Sequence, residues 1–286
     1  MDGALAGGLR AWLEDGALGA VPDAEARHAW AAGGPAFVVC DGELAPPRSA
    51  EHRRIRLADL QACLTRVVFR LTVTAEPPRH PFEDALCAIS VTEQGPDLLD
   101  AVRRLRHRDR AALRSVLRAR AATIASHWRL VPPSWLPRTE ERLRVPLAGG
   151  AVVLTSTADL VLGRPSSGAA SICLVRLHDA TDTVAGAEAA GRARRALALA
   201  ETLRSSAPPW RVATYDPDTG RLVWANARED LLFAAVGDVL RALGGPRAPG
   251  GPRTGEARAP DGPRTGEARA PGGTRTGEGR GHARRP

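Results

Sequence analysis

The sequence contains no lysine: all 40 of its basic residues are arginine. That absence excludes Schiff-base chemistry, a P-loop lysine and any lysine that would orient a catalytic water. Lysine codons are AT-rich and most arginine codons GC-rich. The bias therefore points to a GC-rich coding sequence in which a single Ala, Gly, Pro or Arg carries little meaning. Cysteine is scarce and scattered. Cys40, Cys63, Cys87 and Cys173 form no C-x-x-C pair, which argues against zinc and disulfide frameworks and predicts free thiols in a reducing, cytoplasmic setting. The seven histidines show no H-x-x-x-H or H-E-x-x-H spacing. A G-x-S-x-G elbow, a G-x-G-x-x-G fingerprint and a Walker A loop are also missing. No apolar run approaches the roughly 18 residues that a bilayer-crossing helix needs. The start of the chain, Met-Asp-Gly onward to Glu14 and Asp15, lacks the basic and apolar regions of a signal peptide. No membrane partner is expected.

Positive charge is unevenly spread. Of the formal net charge of +8, residues 244–286 supply most, with nine arginines against four acids, while residues 1–243 are close to balanced. From Gly250 the tail repeats with a period of 11, as GGPRTGEARAP, DGPRTGEARAP and a decayed third copy. It has almost nothing with which to build a core and is predicted to be disordered. Its arginines permit loose contact with a polyanion, diluted by Glu256, Glu267 and Glu278; an inert repeat expansion is the favoured reading.

Three regions follow: a mixed helix and strand region over 1–95, a core over 96–243 and the tail over 244–286. In the first, helices are predicted at 5–13 and 57–71, and a strand at 36–40 closed by the turn Asp41-Gly42. Residues 97–129 form the clearest helical stretch. There Leu98, Val102, Leu105, Leu113, Val116, Leu117 and Ile124 mark an apolar face, and Arg103, His107, Arg110, Arg114 and Arg118 form a stripe on another. Such a row can follow phosphates along a duplex, or it can be a solvated face with Asp100 and Asp109 as partners. Strands are predicted at 143–147, 151–162 and 171–178, a helix at 184–204, strands at 210–215 and 221–225, and a last helix at 229–243. The fold class is α/β with a mixed sheet: a three-strand meander, a crossover helix and return strands. The six tryptophans, Trp12, Trp30, Trp128, Trp135, Trp210 and Trp224, are dispersed and read as core anchors.

This order of elements, with Asp159 on the second strand of the meander, resembles the core of the PD-(D/E)XK nuclease superfamily, in particular its RecB-like exonuclease branch. The resemblance spans roughly residues 138–225. Ala158-Asp159-Leu160-Val161-Leu162-Gly163 is similar to the family's G-x-x-D-L-V-x-G strand. Cys173-Leu174-Val175-Arg176-Leu177-His178 stands where members carry an apolar strand ending in Asp/Glu-x-Lys. Leu199 to Tyr215 resembles the following helix and returning strand, and Leu60, Cys63 and Phe69 resemble the family's L-x-x-C-P-x-x-F start.

The resemblance implies a restriction-endonuclease-like fold and a site where carboxylates on adjacent strands hold a magnesium or manganese ion that activates water. Carried over by position, Asp159 is the first ligand, Arg176 replaces the second carboxylate and His178 replaces the lysine. Ser156 replaces a glycine, and Leu197 falls where a tyrosine is common. A guanidinium where a dication should sit opposes metal binding, and an Asp159–Arg176 ion pair is expected. The implied protein is a degenerate, inactive nuclease relative that retains DNA binding or scaffolding and has no cofactor. Two further readings stay open. One is an active Mg- or Mn-dependent nuclease using Glu140 or Glu141, or a shifted set of Asp159, Asp179 and His178. The other is a protein-interaction module without any nucleic-acid role.

Overall fold

Residues Val152–Leu162 are almost all buried, on both faces of the strand, which is the pattern of a strand at the centre of a sheet with helices on each side. The computed structural model describes residues 2–19, 37–44, 55–92, 95–128, 131–163, 172–178 and 184–244, all within one compact unit, Met1–Gly251. Among them are seven helices: α1 (Asp2–Gly19), α2 (Leu57–Thr74), α3 (Pro81–Ser90), α4 (Gly95–Arg104), α5 (His107–Trp128), α6 (Val184–Ser205) and α7 (Glu229–Ala242). The strands are β1 (Phe37–Cys40), β2 (Glu43–Leu44), β3 (Arg138–Leu147), β4 (Val152–Leu162), β5 (Cys173–Leu177), β6 (Arg211–Tyr215) and β7 (Leu222–Asn226).

The fold is mixed α/β with one seven-stranded mixed sheet. β3, β4 and β5 form an antiparallel meander, β6 runs parallel to β5 through the crossover helix α6, and β7 returns antiparallel. A parallel neighbour demands such a crossover, since a tight turn can join only antiparallel strands. On one face, Leu9 and Leu13 of α1 join Leu197 and Leu199 of α6 and Leu232 and Val236 of α7 over Val152, Leu154 and Ala158. On the other, Leu64 and Phe69 of α2, Phe82 of α3, Leu98 of α4 and Leu117 and Ile124 of α5 cover Leu160, Val175 and Tyr215. Phe69, Trp128 and Tyr215 pack with ring centroids 5.4–6.1 Å apart.

Several elements differ from expectation. The helical stretch at 97–129 is two helices, broken at Leu105-Arg106. α3 has no counterpart among the expected elements, although it begins with proline and carries Glu83 and Asp84 in its first turn, as helix starts do. β3 begins at Arg138 instead of 143, so Glu140 and Glu141 lie within the strand. The region 1–95 joins the same layers as the core: β1 is parallel to β4, and α2 packs on α5. Apart from Gly244, the repeat tail lies outside the described residues. Among the described residues no helix is long and apolar enough to cross a membrane.

One buried cation ties three elements. Arg120 of α5, only 3% exposed, donates from Nε and Nη2 to the Asp218 carboxylate at 2.7 Å each and from Nη1 to the Thr65 hydroxyl at 2.8 Å. Asp218 sits in the β6–β7 turn, where Asp216 accepts its N–H and the Thr219 hydroxyl, and Gly220 adopts φ +73° with no room for a Cβ beside His127. Removing the charge opposite a buried guanidinium is costly. Asp218→Asn should lower stability by about 2–3 kcal/mol in urea unfolding. A loss under about 0.5 kcal/mol would mean that solvent replaces the carboxylate.

Candidate functional site

The sheet forks on β4. β3 pairs along nearly its whole length on one edge, but the other edge is shared: β1 occupies residues 152–155 and β5 residues 160–162. Residues 156–159 therefore face a gap, and their polar groups must be satisfied by side chains. Asp159, 2% exposed, fills it. Its Oδ2 accepts the Leu177 N–H of β5 at 2.7 Å, and its Oδ1 accepts Nε of Arg66 at 3.1 Å. Arg176 spans the gap from β5, donating to the Thr157 carbonyl and to the Asp41 carboxylate. Asp41 also accepts the Ser156 hydroxyl at 2.8 Å. It is placed by the two-residue β1–β2 hairpin, in which Asp41 and Gly42 both have positive φ, +53° and +80°. An Asp-Gly pair is well suited to that turn.

The face of β4 also switches here. Val152, Leu154 and Ala158 point to the α6 and α7 layer, whereas Leu160 and Leu162 point to the α2–α5 layer. Opposite the switch, Glu140 of β3 takes φ +56° and the paired register skips it. One turn of α2 answers both strands: Arg66 reaches Asp159, and Arg70, four residues on, holds Glu140 at 2.8 Å.

These contacts correct three expectations. Asp159 and Arg176 are close enough to interact electrostatically but take other partners: Arg66 for the acid, Asp41 for the base. Glu141 points away from the gap, paired with Arg138 at 2.8 Å and Arg204 of α6 at 3.0 Å; Glu140 is the acid on the Arg66 side. His178 follows the end of β5, and its Nε2 donates to the Gly186 carbonyl at 3.0 Å, so that N–H is engaged within the protein. Asp179 lies outside the described residues. Ser156 serves as a donor to Asp41, and Leu197 is a fully buried core residue of α6.

A pocket of about 590 Å³ opens over the fork, lined by Asp41, Glu43, Arg66, Arg176, His178 and Arg192 among others. Its charges are matched in pairs: Arg66 with Asp159, Arg176 with Asp41, and Arg192 with Glu43. The donor set does not fit a divalent cation. Both Asp159 oxygens accept from protein donors, and the adjacent strand presents a guanidinium. Among the described residues no group of three or more His, Cys, Asp or Glu could hold a metal ion. No family model, no curated protein and no solved structure matches this chain. The residues of the fork therefore carry the functional argument.

The arginine stripe is not one row. Arg103 lies on α4, paired with Asp100 at 3.1 Å. Arg110 closes the end of that helix by donating to the Val102 and Arg103 carbonyls, and Arg114 pairs with Glu83 of α3 at 3.0 Å while covering the Phe82 ring. Arg118 remains exposed. The sequence pattern does not single out Arg66 at the fork, nor Arg142 and Arg144, which are exposed on β3 and make no ion pair among the described residues.

Burial is the largest influence on Asp159 and raises its pKa above the usual carboxylate range, against the opposing pull of Arg66, Arg176 and the Leu177 N–H. A native pKa above the unfolded value means that the folded state binds the extra proton. This contribution to stability is therefore full below the unfolded pKa and is lost as pH rises through the native one. Urea unfolding from about pH 4 to 7 should show wild type losing stability relative to Asp159→Asn as pH rises. A difference that is flat or of opposite slope would refute the assignment.

Proposed function

We propose that this protein is an inactive relative of the PD-(D/E)XK nucleases that binds nucleic acid without cutting it. The order β3-β4-β5-β6, with α6 crossing between the parallel pair β5 and β6, agrees with the restriction-endonuclease-like core that the sequence resemblance implies. Asp159 stands at the fork of the second and third meander strands, and Arg176 and His178 stand at the end of the third. The single observation that carries the reading is the seat of Arg176: its guanidinium lies in the fork, bound to the Thr157 carbonyl and the Asp41 carboxylate.

Metal-assisted hydrolysis needs a dication that lowers the pKa of a bound water beside the scissile phosphate. A fixed positive charge in that position repels the dication, and Arg cannot be neutralised at any ordinary pH. The family's lysine is replaced by His178, whose ring is engaged by Gly186. Hydrolysis thus lacks its metal ligands and its water-orienting cation. Binding requires neither. Arg142 and Arg144 lie on the same side of β3, two residues apart, and their charge is available to phosphates.

Plasmid and linear DNA should stay uncut in magnesium or manganese, with wild type and Asp159→Ala indistinguishable. Duplex binding at low salt should weaken steeply as salt rises, and replacing both Arg142 and Arg144 by Ala should reduce the log–log salt slope by about 2. Metal-dependent cleavage lost in Asp159→Ala would establish a working nuclease instead. Absence of duplex binding at low salt would remove the nucleic-acid role.

A further inference from the structure

At the opposite end of β5 and β6 from the fork, two of the tryptophans expected in the core are at the surface. Trp210 is 54% and Trp224 43% exposed. They share one cation: the Arg211 guanidinium lies 4.2 Å from the Trp210 ring centre and 5.9 Å from that of Trp224. The strand register explains the grouping. Arg211 is opposite Asn226 and Ala213 is opposite Trp224, so alternate residues bring Arg211, Trp224 and exposed Asn226 to one face of the outermost hairpin. The α2–α5 layer covers Ala213 and Tyr215 on that face and stops short of Trp224.

We propose that this Trp210–Arg211–Trp224 surface binds an unpaired nucleic-acid strand, its bases stacking on the indoles and its phosphates meeting Arg211. The inference rests on the nucleic-acid-binding part of the function proposed above and adds a second, single-strand-selective surface to it. Three observations favour this occupant. Among the described residues Arg211 makes no ion pair and its side chain has no hydrogen-bond acceptor, so its donors are open. The other cation of the hairpin, Arg221, is exposed, while its two acids are committed, Asp216 within the turn and Asp218 to Arg120. The exposed residue beside Trp224 on that face is Asn226, a polar neighbour that suits a charged strand better than the apolar centre of a protein interface. A duplex hides its base faces; an unpaired strand offers them to every exposed ring.

Fluorescence anisotropy of the full-length protein with labelled oligothymidylate and with a labelled duplex tests the proposal. Replacing Trp210 and Trp224 together by Leu should weaken oligothymidylate binding by roughly tenfold or more, since each stacked base contributes on that scale. Duplex binding should hold. Arg211→Ala, assayed separately, should weaken strand binding and lower its salt dependence, and circular dichroism melts should match wild type for each variant used. Unchanged oligothymidylate affinity in the double variant would overturn the proposal and leave the function above intact. Wild type binding duplex but not oligothymidylate would overturn it in the same way, whereas wild type binding neither would remove both. Loss of a concentration-dependent dimer in the double variant, with oligonucleotide affinity unchanged, would assign the surface to a second copy of the chain.

Discussion

The carboxylate of Asp159 stands in for a strand. Where β5 diverges from β4, a backbone N–H that would have joined the ladder instead meets Oδ2 of Asp159, and the carbonyl of Thr157 meets Arg176. Buried main-chain groups must find partners. Two side chains of opposite charge meet that demand from the two sides of the gap. Arg66 ties the acid to α2, and Asp41 ties the base to the β1–β2 turn. The fork is therefore the place where the helical layer, the meander and the N-terminal hairpin are joined by charge. A site assembled in this way has its polar groups already occupied, and the proposed lack of hydrolysis rests on that.

Much of the architecture is legible in the sequence because it depends on local pattern. The apolar run at 151–162, the Asp-Gly turn and the breaks at Gly149-Gly150 and Asp216-Gly220 determine strands and turns within a few residues. What is not legible depends on partners distant in the chain. The identity of the cation facing Asp159 is one example: Arg66 is 93 positions away and looks like any other arginine of an amphipathic helix. Arg120 is another, since nothing in an alanine- and arginine-rich helix marks one guanidinium as buried. Periodicity also cannot separate α4 from α5, because Leu98, Val102, Leu113 and Leu117 are buried in one core across the break.

The tryptophans show the same limit from the opposite direction. Trp128 is enclosed by Phe69 and Tyr215, but Trp210 and Trp224 flank an arginine at the edge of the sheet. Composition assigns all six to the core because large aromatic residues are mostly buried. Three of the described ones are exposed instead: Trp135, in the turn before β3, and Trp210 and Trp224, whose place strand register decides. That register places Trp224 on the last strand, where no helix of the α2–α5 layer reaches, and it sets Arg211 beside it.

The parallel pairing of β1 with β4 has a consequence for biosynthesis. The Asp41–Ser156 contact links residues 115 positions apart, so β1 leaves the ribosome long before its neighbouring strand exists. Contacts of such separation require closure of a large loop and form slowly. During synthesis the hairpin must wait, its apolar Phe37, Val38 and Val39 unsheltered, until the meander is complete and Arg176 has arrived to hold it. Until then the nascent chain presents a short sticky segment, the kind of surface that chaperones retain on their clients.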